Sequence, residues 1–144
     1  QFLASVDTIF YGRLSYDAWG NYLPTVNADP SEQLLWNAIH SKHKYVFSSQ
    51  NRQDSQATFI NTDIVNKVAE IKKQGGKDIW LYGGAGLTRT FIQLGLIDIY
   101  RLSIHPIALG SGKPLFEDLK MPLKLKLLQT NIFKSGVVQT IYET

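Results

Sequence analysis

Ile79-Trp80-Leu81-Tyr82-Gly83-Gly84-Ala85-Gly86-Leu87-Thr88 sets a glycine cluster directly between an apolar, β-favouring run and an amphipathic segment. The order predicts a strand over 79–82 and a helix from about Leu87 to Leu94, joined by a turn of small residues. Glycine admits the positive φ angles of a tight turn and lacks the Cβ that would hold a ligand away from the main chain. The first N–H groups of the following helix point outward along the positive end of its dipole, so the turn is expected to form an anion seat. Glycine turns also join strands to helices for structural reasons alone. By itself this stretch leaves both readings open.

Upstream, the same alternation recurs. Thr8-Ile9-Phe10-Tyr11 is a β-favouring run ending at Gly12, and Arg13 to Trp19 can follow as a helix with Leu14, Tyr16 and Ala18 available for burial. Gly20 to Pro30 is polar and turn-rich. Ser31 is expected to cap a helix through His40 that turns Leu34, Leu35, Ala38 and Ile39 inward. Lys44-Tyr45-Val46-Phe47 is the next strand; it stops at Ser48-Ser49-Gln50, before a hydrophilic loop to Gln56. Phe59-Ile60 reads as a brief strand. Asp63 then caps a helix carrying Ile64, Val65, Val68 and Ile71, which Gly75-Gly76 ends. Strand and helix alternate up to the glycine cluster, so the fold class is α/β, a largely parallel sheet with helices on its faces.

Downstream the pattern changes. Ile99 to His105, Leu123 to Ile132 and Val137 to Tyr142 read as three strands, the last two joined by a hairpin at Lys134-Ser135-Gly136. Antiparallel strands added at one edge of the sheet are the simplest arrangement. No repeat, low-complexity tract or linker divides the chain, so residues 1–144 are expected to form one domain.

At 144 residues, 44% hydrophobic and 12% aromatic, the chain has enough apolar material for one substantial core. Its 15 basic and 12 acidic residues leave a net charge of +3, with the basic residues scattered except at Lys42-His43-Lys44, Lys72-Lys73 and Lys120 to Lys126. That charge is too small and too diffuse for a nucleic-acid partner, and these groups read as solvated faces of helices and turns. An anionic small molecule fits the mild excess. The absence of cysteine excludes disulfides, thiolate metal sites and cysteine nucleophiles, and makes a cytoplasmic location the expectation. No apolar run is long enough to span a membrane.

Ligands of open α/β sheets collect at the carboxyl ends of the parallel strands, and three loops leave strands there with suitable groups. Gly12-Arg13-Leu14-Ser15 offers close access, helix-start donors and a guanidinium that can fork onto phosphate. Ser48-Ser49-Gln50 offers small donors. Gly83-Gly84-Ala85-Gly86 completes the set, yet it lacks both the G-x-G-x-x-G spacing of a dinucleotide fingerprint and the Gly-Lys-Ser/Thr ending of a P-loop. A different nucleotide fold is required.

A strand ending in Gly-Arg-x-Ser/Thr, a second ending in Ser-Ser/Arg-Gln and a third running into Gly-Gly-x-x-Leu/Val, in this order, resembles the dihydrofolate reductase fold over nearly the whole chain. The resemblance implies NADPH as cofactor. It implies that Gly12, Arg13, Ser15, Ser48 and Ser49 meet its phosphates, with Gly83, Gly84, Ala85, Gly86 and Leu87 lying against it. Asp98-Ile99-Tyr100-Arg101-Leu102-Ser103-Ile104-His105-Pro106, followed by Leu109-Gly110-Ser111-Gly112-Lys113-Pro114-Leu115-Phe116, is similar to the reductase domain of bacterial riboflavin biosynthesis and its stand-alone relatives. The glycine-rich Leu-Gly-x-Gly-x-Pro-Leu-Phe part, Leu109 to Phe116, is foreign to true dihydrofolate reductases. The implied activity is reduction resembling that of 5-amino-6-(5-phosphoribosylamino)uracil reductase, on a small pyrimidine or pterin substrate. A non-catalytic nucleotide-binding or assembly protein of the same fold, or a dihydrofolate reductase, are the alternatives.

In these families a central strand and a pocket-lining segment open the chain, and Gln1 is expected to fall downstream of them, giving a domain without its N-terminal strand. No catalytic residue can be named. His105 beside Pro106 reads as a turn histidine, and His40 and His43 sit where a helix ends. The three histidines provide no metal spacing. Asp7 and Asp17 lie too near turns and helix ends to form a carboxylate pair, and Ser15, Ser48 and Ser49 lack a base for nucleophilic work. Trp19, Trp36 and Trp80 fit burial better than a stacking platform, and the apolar late strands make a homodimer plausible.

Overall fold

The computed structural model, which describes residues 2–144, builds its first unit around β1 (Val6–Gly12). β1 pairs in parallel with β2 (His43–Phe47) on one side and with β4 (Asp78–Tyr82) on the other; β3 (Thr58–Ile60) lies beyond β2, giving the order β3-β2-β1-β4. A strand flanked on both sides and covered on both faces must be apolar almost continuously. Accordingly Val6, Ile9, Phe10 and Tyr11 are all buried. Ile9 and Tyr11 join Val6, Tyr16, Trp36, Ile39 and Val46 in one core cluster. Phe10 packs edge-on against Tyr45 and Phe47, with ring centroids 5.8 and 5.0 Å away.

The crossovers correct several expected burial patterns. After β1 the chain enters α1 (Arg13–Ser15) and continues as a π-helical turn, Tyr16–Gly20. Tyr16 is buried against the rings of Tyr11 and Phe59, at 5.7 and 5.8 Å, and this fixes the inward face. Leu14, expected inside, is 72% exposed, and Ala18 is exposed as well, because both lie off the Tyr16 face. The next helix, α2 (Pro30–His40), is capped by Asp29 and not by Ser31: Asp29 Oδ1 accepts the Ser31 N–H at 2.8 Å, with Pro30 at the first position. Trp36 and Ile39 form its inward stripe. Leu34 and Leu35 are exposed, a second correction, and Ala38 is half-buried.

α3 (Ile64–Lys73) starts at Asp63 as expected, but Asp63 is left-handed (φ 52°) and its carboxylate accepts from Asn66 Nδ2 at 2.8 Å instead of capping a backbone N–H. Val68 is its buried residue and Val65 is exposed. Gly75 (φ 73°) and Gly76 (φ 128°) supply the left-handed exit that ends the helix.

The chain divides into two units, Gln1–Thr88 and Arg89–Thr144, with the boundary inside α4 (Ala85–Gln93). The second unit holds β5 (Ile99–Ile104), β6 (Lys126–Ile132) and β7 (Val138–Glu143) in an antiparallel sheet of order β5-β7-β6. The late strands therefore form a sheet of their own, where the sequence pattern suggested strands added at one edge of the parallel sheet. β7 gives one edge to β5 and the other to β6, so the central strand's ladder is paired on both sides. The β6–β7 turn closes through Phe133 N–H to Val137 O and Gly136 N–H to Phe133 O, both 2.9 Å, with Gly136 at φ 84°.

One glycine is fixed by contact. A Cβ at Gly20 would overlap the buried Tyr16 ring, which Tyr11 and Phe59 hold in place. Gly20→Ala is expected to destabilise the protein by about 1–3 kcal/mol, the usual cost of overpacking. Urea denaturation followed by tryptophan fluorescence measures it, and an unchanged midpoint would contradict this packing.

Candidate functional site at the carboxyl edge of the parallel sheet

Because β1, β2 and β4 run parallel, their carboxyl ends fall on one edge. Gly12 is in register with Phe47, directly before Ser48, and Tyr11 is in register with Tyr82, directly before Gly83. The loops that begin at Gly12, Ser48 and Gly83 thus leave neighbouring strands side by side. β1 has a partner reached by a forward connection on each side, the switch-point arrangement at which open α/β sheets bind ligands.

The glycine cluster is shorter as a loop than its sequence implies. α4 begins at Ala85, two residues before the expected start, so Ala85, Gly86 and Leu87 form its first turn and Gly83-Gly84 is the whole connection. The Gly84 carbonyl accepts the Thr88 N–H at 3.2 Å. Neither Gly83 nor Gly84 adopts a positive φ, so turn conformation does not account for them. Close approach does at Gly83, where a Cβ would stand 3.1 Å from Leu87 Cδ2. Leu87 also covers Gly12, whose Cβ would stand 3.6 Å from Leu87 Cβ. A Cβ at Gly84 would meet Ser15 Oγ at 3.8 Å, and one at Gly86 would meet nothing within 4 Å. The bare backbone at Gly84 and Gly86 therefore opens onto space at a helix N-terminus.

Gly12, Ser15, Gly83, Gly84 and Leu87 are brought together by these contacts. Ser48 and Ser49 sit beside them at the end of β2, Ser48 half-buried and Ser49 exposed. The Ser48 N–H donates to the Ile60 carbonyl at 3.1 Å, and its Oγ accepts the Gln50 N–H at 3.0 Å, which curls the loop at its start. Arg13 Nη1 is engaged with Asp17 Oδ2 at 3.1 Å, one helical turn away.

Asp17, set aside in the sequence, leads to two residues that sequence reasoning missed, Arg52 and Asp54. Its other oxygen, Oδ1, accepts from Arg52 Nη1 at 2.6 Å, while Arg52 Nη2 donates to Asp54 Oδ2 at 3.0 Å. The Arg52 guanidinium also lies over the rings of Phe59 and Tyr16, 5.1 and 5.7 Å from their centroids. The Gln56 N–H, then the Tyr16 hydroxyl at 3.0 Å and Arg52, hold the Asp54 carboxyl below the ordinary carboxylate range. Burial, with Asp54 adding to it, pushes the Tyr16 hydroxyl up. The loop after Ser49 is thereby fastened beside Arg13, and Arg52 becomes a second guanidinium at the same edge. In the sequence the available signals were the i, i+4 spacing of Arg13 and Asp17 and the nearness of Arg52 to Ser49.

Asp7 belongs elsewhere. It lies at the start of β1, at the opposite edge, where its Oδ2 accepts the Lys77 N–H at 2.7 Å; that bond first, then Thr8, lowers its pKa. Lys44, expected on a solvated face, is instead 7% exposed, with Nζ donating to the Gly20 carbonyl at 2.7 Å and facing His40 Nδ1 at 3.4 Å. Burial lowers its pKa. His105 is exposed after β5, and its carbonyl accepts the Ile107 N–H at 2.8 Å. Trp36 is buried, and Trp19, 43% exposed, stacks on it with ring centroids 5.9 Å apart. Among the described residues no group of three or more His, Cys, Asp or Glu could hold a metal ion, and no helix is long and apolar enough to cross a membrane.

The family model of the RibD C-terminal domain matches residues 1–139. The chain belongs to the RibD C-terminal domain family. Within that family it is 58% identical over 144 residues to a protein of Bacillus subtilis (strain 168) named uncharacterized protein YyaP, covering 99% of this chain and 76% of YyaP. Among solved structures it is similar to a putative riboflavin biosynthesis protein from Shewanella sp. PV-4, with a TM-score of 0.75 and 21% identity over 98% of this chain and 75% of that one. It is also similar to the dihydrofolate reductase of Enterococcus faecalis solved in complex with NADP(H), with a TM-score of 0.63 and 12% identity over 97% of this chain and 76% of that one. At such identities the two structures establish the fold. This RibD C-terminal domain protein thus has a dihydrofolate-reductase-like fold with a parallel four-stranded sheet and a separate antiparallel sheet.

Proposed function

We propose that this RibD-family chain is an NADPH-dependent reductase of the riboflavin-pathway kind, with residues 1–144 acting as one reductase domain. The observation that carries the reading is the convergence of Gly12-Arg13, Ser48-Ser49 and Gly83-Gly84 on one strand edge. The residues fit the cofactor: Gly84 and Gly86 leave space where a side chain would intrude, and the first turn of α4 adds a dipole suited to phosphate. The E. faecalis reductase, complexed with NADP(H), supports the same choice of cofactor. When bound, the nicotinamide would supply a hydride to a small substrate, a pyrimidine ribosyl compound before a pterin.

The chain's own residues bind and orient. Arg13 would fork onto the 2′-phosphate, with Ser48 and Ser49 donating hydroxyl hydrogen bonds beside it. Ser15, Gly84, Ala85 and Gly86 would face the diphosphate, while Leu87 holds the two strand exits together through Gly12 and Gly83. No catalytic proton donor is assigned.

A charge-assisted bond from Arg13 to the 2′-phosphate is worth about 1.5–3 kcal/mol, roughly tenfold or more in affinity. Arg13→Ala should therefore reduce the preference for NADPH over NADH by at least that factor in tryptophan-quenching titrations. An unchanged ratio removes Arg13 from the role. Cofactor binding without NADPH oxidation by either a pyrimidine ribosyl substrate or dihydrofolate would favour a non-catalytic nucleotide-binding protein of this fold. The reading includes a cytoplasmic homodimer, supported by the apolar exposure of Leu127, Leu128, Ile132 and Phe133 on and beside β6. Light scattering should return twice the chain mass, and a monomer at micromolar concentration would remove the dimer.

A further inference from the structure

Two guanidinium groups at the carboxyl edge share one carboxylate, and they do so unequally. Arg13 Nη1 meets Asp17 Oδ2 at 3.1 Å, whereas Arg52 Nη1 meets Asp17 Oδ1 at 2.6 Å. Different oxygens carry the two bonds, so either can be released without the other. Arg52 is also fixed by Asp54 and by the faces of Tyr16 and Phe59. Arg13, by contrast, makes one ion pair among the described residues, with its side chain 37% exposed.

The formal charges of Arg13, Arg52, Asp17 and Asp54 cancel. A phosphate approaching Arg13 meets no net positive charge, and it meets the Asp17 carboxylate within a few ångströms. Arg52 provides the way out. If Asp17 keeps its shorter bond to Arg52 and gives up the longer one, Arg13 presents its fork to the ligand and the displaced carboxylate stays neutralised.

We propose that Asp17 is an internal counter-ion that competes with a ligand phosphate for Arg13, with Arg52 holding it when the phosphate binds, so that Asp17 sets how strongly this edge selects a phosphomonoester-bearing nucleotide. The assignment rests on the nucleotide reading of the edge. It makes Asp17 a specificity-determining residue, and its presence lowers the affinity for anions. A carboxylate in that position rejects weakly held anions and leaves those that can use the whole Arg13 fork. Exposed ion pairs of this kind are weak, which is what a displaceable partner requires.

Calorimetric titration of the full chain tests the proposal with three probes: inorganic pyrophosphate, NADPH and NADH. Asp17→Asn removes the charge and keeps a carbonyl oxygen that can accept from Arg52. It should tighten pyrophosphate and NADPH roughly three- to tenfold at low salt and change NADH less than twofold. Asp17→Ser, which also removes the charge, should tighten pyrophosphate and NADPH in the same way and covers the case of an Asn variant that fails to fold. Asp78→Asn removes one negative charge at the start of β4, at the opposite edge, and should leave all three affinities unchanged. Weaker anion binding by Asp17→Asn, or a gain matched by Asp78→Asn, would overturn the proposal, as would no pyrophosphate binding by either wild type or Asp17→Asn. If pyrophosphate follows the expected pattern while neither dinucleotide binds, the counter-ion stands and the NADPH reading fails.

Discussion

The parallel pairing of β1 with β2 on one side and β4 on the other is the constraint on which the rest of the first unit depends. Parallel neighbours send their carboxyl ends the same way, so the loops after Gly12, Phe47 and Tyr82 meet without any further device. The pairing also dictates composition. β1 must be apolar on both faces, and Tyr16, Trp36 and Ile39 come from the segments that cover one of those faces. Substituting a polar residue at Ile9 or Val46, both fully buried, would disturb the sheet and the candidate ligand edge together.

Within that frame the edge is held by two kinds of contact. Leu87 is the apolar one, packing over Gly12 and Gly83 so that the β1 and β4 exits stay close. The polar one is the chain of groups from Arg13 through Asp17, Arg52 and Asp54 to Tyr16, which fastens the loop after β2 to the helix after β1. Most of these ion pairs are exposed and contribute under about 1 kcal/mol each to stability. Their importance lies in position: they decide which charges face an incoming anion. The Asp54–Tyr16 bond is more sheltered, and the lowered pKa of Asp54 ties that part of the network to a charged carboxylate.

Much of this was legible in the sequence, for physical reasons that differ by element. The strand–helix alternation through Tyr82 predicted the parallel sheet because a buried parallel strand and an amphipathic crossover helix have distinct periodicities. The meeting of three loops at one edge followed, since Gly12-Arg13, Ser48-Ser49 and Gly83-Gly84 each end such a strand. The glycines read as a positive-φ turn and as access for a ligand; at Gly83 no positive φ is used, and a Cβ would stand 3.1 Å from Leu87 Cδ2. Which side chain comes to rest against which group is not written in residue spacing. Arg52 and its link to Asp17 were illegible for the same cause. Thirty-five residues separate them along the chain, and only the register of β1 with β2 makes them neighbours. The late strands were recognised individually, but their closure into a β5-β7-β6 sheet depends on which edges pair, and alternation does not encode that.

The central claim is that one edge of the parallel sheet faces the ligand. Its most direct test is amide chemical-shift mapping during titration of the isotopically labelled chain with NADPH. The account predicts saturable shifts concentrated at residues 12–15, 48–52 and 83–87. Shifts confined to the opposite edge, around Asp7 and Gly75 to Lys77, or no saturable shift at millimolar cofactor, would contradict it.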